Sequence, residues 1–150
     1  MEKTSLKKAL IEECLKRQTE NAKAIEIAIK ELQKSANDYG QPKDRYDSYR
    51  VQLLRKRDML AKQLENSLSQ ISVLHKIDPL IDHDDVHFGA LVITNEQKIF
   101  VSISLGKINY NNEEYFAIST LVPFFQAMKE KRKGEIFKFR EKEIEILDIF

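Results

Sequence analysis

The chain has 150 residues, with 25 lysines and arginines against 24 aspartates and glutamates, one cysteine and no tryptophan. The net charge of +1 argues against a generic binder of polyanions, and no segment approaches the roughly 18 to 20 unbroken apolar residues of a membrane span. A single cysteine cannot form an internal disulfide, and the start of the chain lacks the apolar region of a signal peptide, so we expect a cytoplasmic protein.

Charged and aromatic residues divide the chain into two unlike parts. Residues 1–76 hold 16 basic and 11 acidic side chains, whereas residues 77–150 hold 9 and 13. All eight phenylalanines lie beyond residue 87. We therefore predict an α+β protein: an antiparallel helical hairpin (a coiled coil) over residues 1–76, a linker over 77–85 and a small β domain over 86–150.

The first part begins with a long amphipathic run. Apolar residues recur at alternating spacings of four and three, which predicts a coiled-coil seam on a helix from about Thr4 to Asn37. A glycine and a proline at Gly40 and Pro42 end this helix and reverse the chain. The predicted seam, apolar except for one glutamine, consists of Ile11, Leu15, Gln18, Ala22, Ile25, Ile29, Leu32 and Ala36.

A second periodic run follows the reversal and predicts the returning helix of the hairpin. The basic residues at positions 55–57 interrupt its apolar face and are typical of a solvated surface. The exposed end of the hairpin, residues 37–48, carries three carboxylates, Asp38, Asp44 and Asp47. The face of the second helix is Tyr46, Tyr49, Leu53, Leu60, Leu64, Ser67, Ile71 and Leu74.

A two-helix hairpin buries little surface for the entropy lost in ordering it, so its length needs a functional reason. One interpretation is dimerisation through the seam. The other is a stiff probe that carries its end far from the body of the protein. Helix geometry alone leaves both open.

Beyond residue 79 the apolar period shortens to two, which predicts strands over residues 86–93, 99–105 and 115–118, with a turn at 109–112. Pro123 begins a brief helix through Met128, with Phe124, Phe125 and Met128 on one face. Gly134 ends a basic turn, and two alternating segments over 135–140 and 143–149 close a twisted antiparallel sheet.

Three strings in this second part resemble the Gre transcript-cleavage factors of bacterial RNA polymerase. Residues 86–92 read V-H-F-G-A-L-V and are similar to the family's entry strand, V-x-F-G-A-x-V. Residues 117–123, A-I-S-T-L-V-P, resemble its I-S-x-x-S-P string, and residues 143–149, E-I-E-I-L-D-I, resemble its final strand. The order of the helical and β parts agrees as well, so the resemblance covers nearly the whole chain.

The resemblance implies an FKBP-like second domain that binds the rim of the polymerase secondary channel, while the hairpin end points toward the active site. It implies a polymerase contact at Ser119, Leu121, Pro123 and Phe124. The protein would act as a monomer, reach nucleic acid only through polymerase, and have no catalytic residues or cofactor of its own. Mg²⁺ would be held only jointly with polymerase, because two-metal hydrolysis needs oxygen ligands that polymerase largely supplies.

The sequence departs from the family at the hairpin end. Aligning residues 46–50 with the family places Tyr39 and Pro42 where two carboxylates are expected, and aligning residues 58–62 places Ser35 and Asp38 there. Neither alignment restores the pair. A protein that enters the channel and modulates elongation or initiation without stimulating cleavage is therefore as consistent with the sequence as a cleavage factor.

The sequence also allows an alternative function, a candidate metal site in the linker and a reactive cysteine. The alternative function is a coiled-coil dimerisation module that does not bind polymerase. Residues 82–87, with His75 upstream, contain metal-ligand side chains, but their spacing matches no zinc or EF-hand pattern, so we predict no metal site. Cys14 lies beside the seam and is expected to be packed rather than nucleophilic.

Overall fold

A computed structural model describes residues 2–39 and 48–150. The order of elements is two long helices followed by a six-stranded sheet that contains one short helix, which confirms the predicted α+β class. Helix α1 spans Glu2–Tyr39 and helix α2 spans Ser48–Leu74. Contacts divide the chain into two compact units, the first formed by residues 1–15 and 72–150 and the second by residues 16–71.

The second unit is the paired part of the two helices. Hydrogen bonds join Gln18 to Gln70 at 2.6 Å and Asn21 to Ser67 at 2.8 Å. Residues later in α1 are hydrogen-bonded to residues earlier in α2, so the two helices run antiparallel. The predicted seam is buried at Ala22, Ile25 and Ala36, and the predicted polar position, Gln18, is buried with them.

One basic residue of the second unit occupies a different environment from the one predicted. Arg57 is half-buried, and its Nη1 donates a 2.9 Å hydrogen bond to Oε1 of Gln33 on the other helix, whereas its neighbours Arg55 and Lys56 are exposed. The long side chain reaches across a part of the seam that lacks a large apolar residue on α2. The predicted reversal at Gly40 to Pro42 lies outside the described residues.

The sheet belongs to the first unit, and its strands lie in the order β3-β4-β2-β1-β6-β5. All neighbours are antiparallel except β2 and β4, which run parallel. Helix α3 spans Pro123–Met128, as predicted. The strands are β1 Leu91–Thr94, β2 Lys98–Val101, β3 Gly106–Tyr110, β4 Glu113–Ile118, β5 Ile136–Phe139 and β6 Lys142–Ile149.

The strands differ from the prediction in three places. The first strand begins at Leu91 rather than at residue 86, because Gly89 has a positive φ of 90° and Ala90 donates to the carbonyl of His87 in a turn.

The second strand ends at Val101 rather than at residue 105, because the amide of Leu105 donates to the carbonyl of Ile103 in a tight turn. Strand β3 was not predicted, since Ile108 is its one fully buried residue and gives little alternation.

Each side of the sheet packs against its own apolar cluster. Leu91 and Phe100 face one cluster together with Leu10, Cys14 and Leu74 from the ends of the two long helices. The other cluster contains α3 and residues that alternate with these along the strands. The contact division therefore differs from the boundary predicted at residue 76, because both helix ends pack on the sheet. Cys14 is packed in this core, as expected.

Candidate protein-binding surface

A loop over residues 119–122 precedes α3 and is held by two hydrogen bonds. The amide of Leu121 donates to Oγ of Ser119 at 3.2 Å, and Nε2 of Gln126 donates to the carbonyl of Thr120 at 2.9 Å. Leu121 is 88% exposed although it is a large apolar residue. The loop therefore presents an apolar side chain to solvent on a backbone fixed from both sides.

Helix α3 begins at Pro123, which suits the first helical turn because it needs no amide donor there. Phe125 and Met128 are buried and hold the helix against the sheet. Phe124 packs against the same apolar cluster, as predicted, but it is half-buried and lies edge-on to Phe137 and Phe139, with ring centroids 5.6 and 5.0 Å away. Phe124 thus belongs to a partly open aromatic cluster beside α3.

The structure brings the four predicted contact residues together on one short segment. Ser119 and Phe124 are half-buried, and Leu121 and Pro123 are exposed. Next to Phe124 lies an open groove of about 340 Å³, which we call the Phe124 groove. It is lined by Glu96, Gln97, Phe124, Phe139, Arg140, Lys142 and Ile144.

Sequence reasoning did not include Phe139 or Arg140 in this surface. The guanidinium carbon of Arg140 lies 5.2 Å from the centre of the Phe139 ring, within the range of a cation–π contact. The closing strands were predicted over 135–140 and 143–149, which placed Arg140 inside a strand. In the structure Arg140 and Glu141 form the two-residue turn between β5 and β6, where asparagine and glycine are preferred.

Two of the four basic residues in the turn after α3 form ion pairs within the first unit. Lys131 approaches Glu135 at 4.0 Å and Lys133 approaches Asp148 at 3.8 Å. These are exposed pairs of small energetic value. They lower the net positive charge that this turn presents to a partner.

The predicted carboxylate cluster at the hairpin end is described only in part. Asp38 is exposed, one residue before the end of α1. Asp44 and Asp47 lie outside the described residues. The rings of Tyr39 and Tyr49 pack at 4.9 Å and join the two helices at this level.

A buried lysine, which the sequence reading missed, ties the predicted linker to α1. Lys7 is 1% exposed, and its Nζ donates a 2.8 Å hydrogen bond to the carbonyl of Ile81. Burial lowers the pKa of Lys7 to about 8, although Asp82 and Asp78 oppose the shift. Lys7 lies three and seven residues before Leu10 and Cys14, which was the available sign that it faces the core.

The histidines of the linker region have structural contacts. His83 packs against Gly89, where an added Cβ would lie 3.4 Å from Nε2, and burial lowers the pKa of His83. Nδ1 of His87 lies 2.5 Å from Oδ1 of Asp85. Within residues 2–39 and 48–150, no three His, Cys, Asp or Glu side chains are grouped so as to hold a metal ion.

No protein-family model, curated protein or solved structure matches the chain. In the described parts of the chain, no helix combines the length and the apolar character needed to cross a membrane.

Proposed function

We propose that this chain is a Gre-like transcription factor that binds bacterial RNA polymerase at the secondary channel in the cytoplasm. The FKBP-like second domain docks on the channel rim, and the hairpin end points toward the active site. Bound in this way, the protein modulates elongation or initiation. The chain acts as a monomer and has no catalytic activity of its own.

The observation that carries the proposal is the exposed Leu121 in the 119–122 loop, followed by Pro123. Leu121 is 88% exposed, yet the hydrogen bonds of Ser119 and Gln126 fix the backbone around it. A backbone that is already fixed loses little further entropy when a partner covers Leu121, which favours binding. The same segment resembles the rim-contacting string of the Gre factors.

The packing of the hairpin favours this function over a dimerisation module. Ala22, Ile25 and Ala36 are buried within the hairpin of a single chain. The seam that a dimer was expected to use is therefore already covered, and a dimer would need a different surface. A mass measurement in solution tests this point, with the monomer mass of 17.6 kDa expected.

The binding experiment uses purified bacterial RNA polymerase and two matched variants of the full chain. Leu121→Asp places a charge at the proposed contact, and Leu80→Asp makes the same change at a leucine that is 72% exposed elsewhere in the first unit. We expect Leu121→Asp to weaken binding about tenfold or more, because a charge is costly at the centre of an interface. Leu80→Asp should bind as the wild type does.

Pro123→Arg provides a second test, since it should weaken binding while the far-UV spectrum and the melting temperature stay nearly unchanged. Equal binding by the wild type and by both charged variants of the 119–124 segment would contradict the assignment of the contact. Absence of binding by the wild type would contradict the proposed function itself.

A further inference from the structure

Two hairpins of the sheet turn with nearly the same backbone angles but with different residues. Asn111 and Asn112 join β3 to β4 with φ values of 50° and 65°, and Arg140 and Glu141 join β5 to β6 with 50° and 66°. Two-residue turns with both φ values positive favour asparagine and glycine, whereas arginine and glutamate are strained there. Local backbone preference therefore does not explain why an arginine occupies position 140.

The arginine side chain is displayed at the edge of the Phe124 groove. Arg140 is exposed and stacks on Phe139, with 5.2 Å between the guanidinium carbon and the ring centre. Among the described residues no carboxylate pairs with it, whereas Lys142, the other cation of the groove, lies 2.9 Å from Glu96. Because Lys142 is paired with Glu96, Arg140 supplies the remaining positive charge among the residues that line the groove.

The floor of the groove is apolar. Phe124, Phe139 and Ile144 line it, and the first two are held edge to face at 5.0 Å. A volume of about 340 Å³ accommodates one large apolar side chain of a partner. One unpaired guanidinium beside such a floor suits a carboxylate next to that side chain, because the planar fork of arginine pairs with a carboxylate through two hydrogen bonds.

We propose that the Phe124 groove receives an apolar side chain from the polymerase surface, and that Arg140 pairs with an aspartate or glutamate next to that side chain. This inference rests on the proposed function and adds the chemistry that the partner must present. A nucleic acid partner is not favoured, since binding to a phosphate backbone calls for several unpaired cations along a track.

The experiment compares three full-length variants with the wild type for affinity to purified RNA polymerase and for melting temperature. Arg140→Asn removes the charge and supplies a residue that the turn prefers, so it should raise the melting temperature by roughly 2 to 4 °C. It should also weaken binding about tenfold, and the loss should shrink at high salt, which screens the ion pair in the wild type.

Asn111→Arg is the matched control, because it places an arginine at the equivalent position of the other hairpin. It should lower the melting temperature and leave the affinity unchanged. Gln97→Trp tests the apolar part of the inference, since the larger side chain fills the groove from its rim. We expect it to weaken binding about tenfold at low and high salt alike.

Opposite changes in stability and affinity for Arg140→Asn would support the inference, since a purely structural arginine would move both in the same direction. Wild-type affinity in Arg140→Asn would overturn the inference and leave the proposed function standing. A lower melting temperature together with weaker binding would also overturn it. Failure of the wild type to bind polymerase would overturn both, as would binding of single-stranded RNA alone that depends on Arg140.

Discussion

Replacing Lys7 with methionine tests the most unusual buried group of the first unit. Lys7→Met keeps an unbranched side chain of similar length but removes the charge and the donor to the carbonyl of Ile81. The charged groups that act on Lys7 are Asp82 and Asp78, and His83 is close enough for Lys7 to lower its pKa. The variant therefore isolates what a buried ammonium contributes to folding.

The size of the expected change in folding stability follows from the pKa of Lys7, which burial lowers from 10.5 to about 8. A shift of this size corresponds to about 3 kcal/mol in fully dry surroundings. Ile81, whose carbonyl accepts the hydrogen bond of Lys7, is exposed, so water screens part of the effect and we expect about 1 to 2 kcal/mol. Loss of the hydrogen bond to Ile81 costs the variant about 1 kcal/mol. At pH 7 the two proteins should thus differ by no more than about 1 kcal/mol.

The pH dependence separates the two proteins more clearly. The unfolded chain keeps the proton of Lys7 up to its ordinary pKa of 10.5, whereas the folded protein releases it above about pH 8. Between these values the unfolded state binds more protons, so the stability of the wild type rises with pH relative to Lys7→Met. The stability difference between the proteins should shift by about 1 to 2 kcal/mol in favour of the wild type between pH 7 and 9.5.

The assay is urea unfolding at several pH values. Lys8→Met is the matched control, because Lys8 is the exposed neighbour of Lys7 on α1. It should show no such change with pH. A difference between the wild type and Lys7→Met that stays flat or reverses from pH 7 to 9.5 would refute the assignment of a buried ammonium.

Three further predictions concern the hairpin. Ile25→Asp places a charge in the seam and should lower the stability of the hairpin by on the order of several kcal/mol. Amide exchange should then speed up within residues 16–71 but not in the sheet. The control Ile27→Asp, at an exposed position, should change neither the stability nor the exchange rates. Oε1 of Gln18 is buried and has no hydrogen-bond partner among the described residues. Changing Gln18 and Gln70 together to leucine should therefore raise the free energy of unfolding, measured in urea, by about 1 to 2 kcal/mol. Changing Gln18 alone should not raise it. Stalled elongation complexes incubated with the chain and Mg²⁺ should show little RNA shortening, because neither alignment restores both carboxylates; strong shortening that is lost in Asp44→Ala would contradict this.

The sequence was most informative where a pattern is long or a residue has few conformational choices. The seam of α1 repeats over many turns, and Pro123 fixes the start of α3, so both were predicted closely. Strand β3 lies at an edge of the sheet and buries Ile108 alone, which leaves too little alternation to recognise. The spacing of apolar residues and the fixed backbone angle of a proline depend only on the local chain, so both can be recognised in the sequence.

Side chains that reach across the fold were harder to predict. Arg57 and Lys7 have charged ends that indicate a surface position, yet their long stems allow a hydrogen bond to a distant acceptor, Gln33 or the carbonyl of Ile81. The position of Arg140 on the candidate surface depends on a strained turn that its residue type disfavours. Such positions depend on tertiary partners, which the order of residues does not reveal.

The two polar pairs between the helices, Gln18 with Gln70 and Asn21 with Ser67, limit how the hairpin can change over time. Sliding α2 by one heptad in either direction moves it about 10 Å along α1 and sets Asn21 against a leucine, Leu60 or Leu74, with its amide unpaired. During evolution, apolar seam residues can therefore be substituted one at a time by residues of similar size. These four polar residues can be substituted only together with their hydrogen-bond partners. The register of α2 against α1 is thereby fixed at these pairs, so one helix cannot shift along the other unless all four residues change.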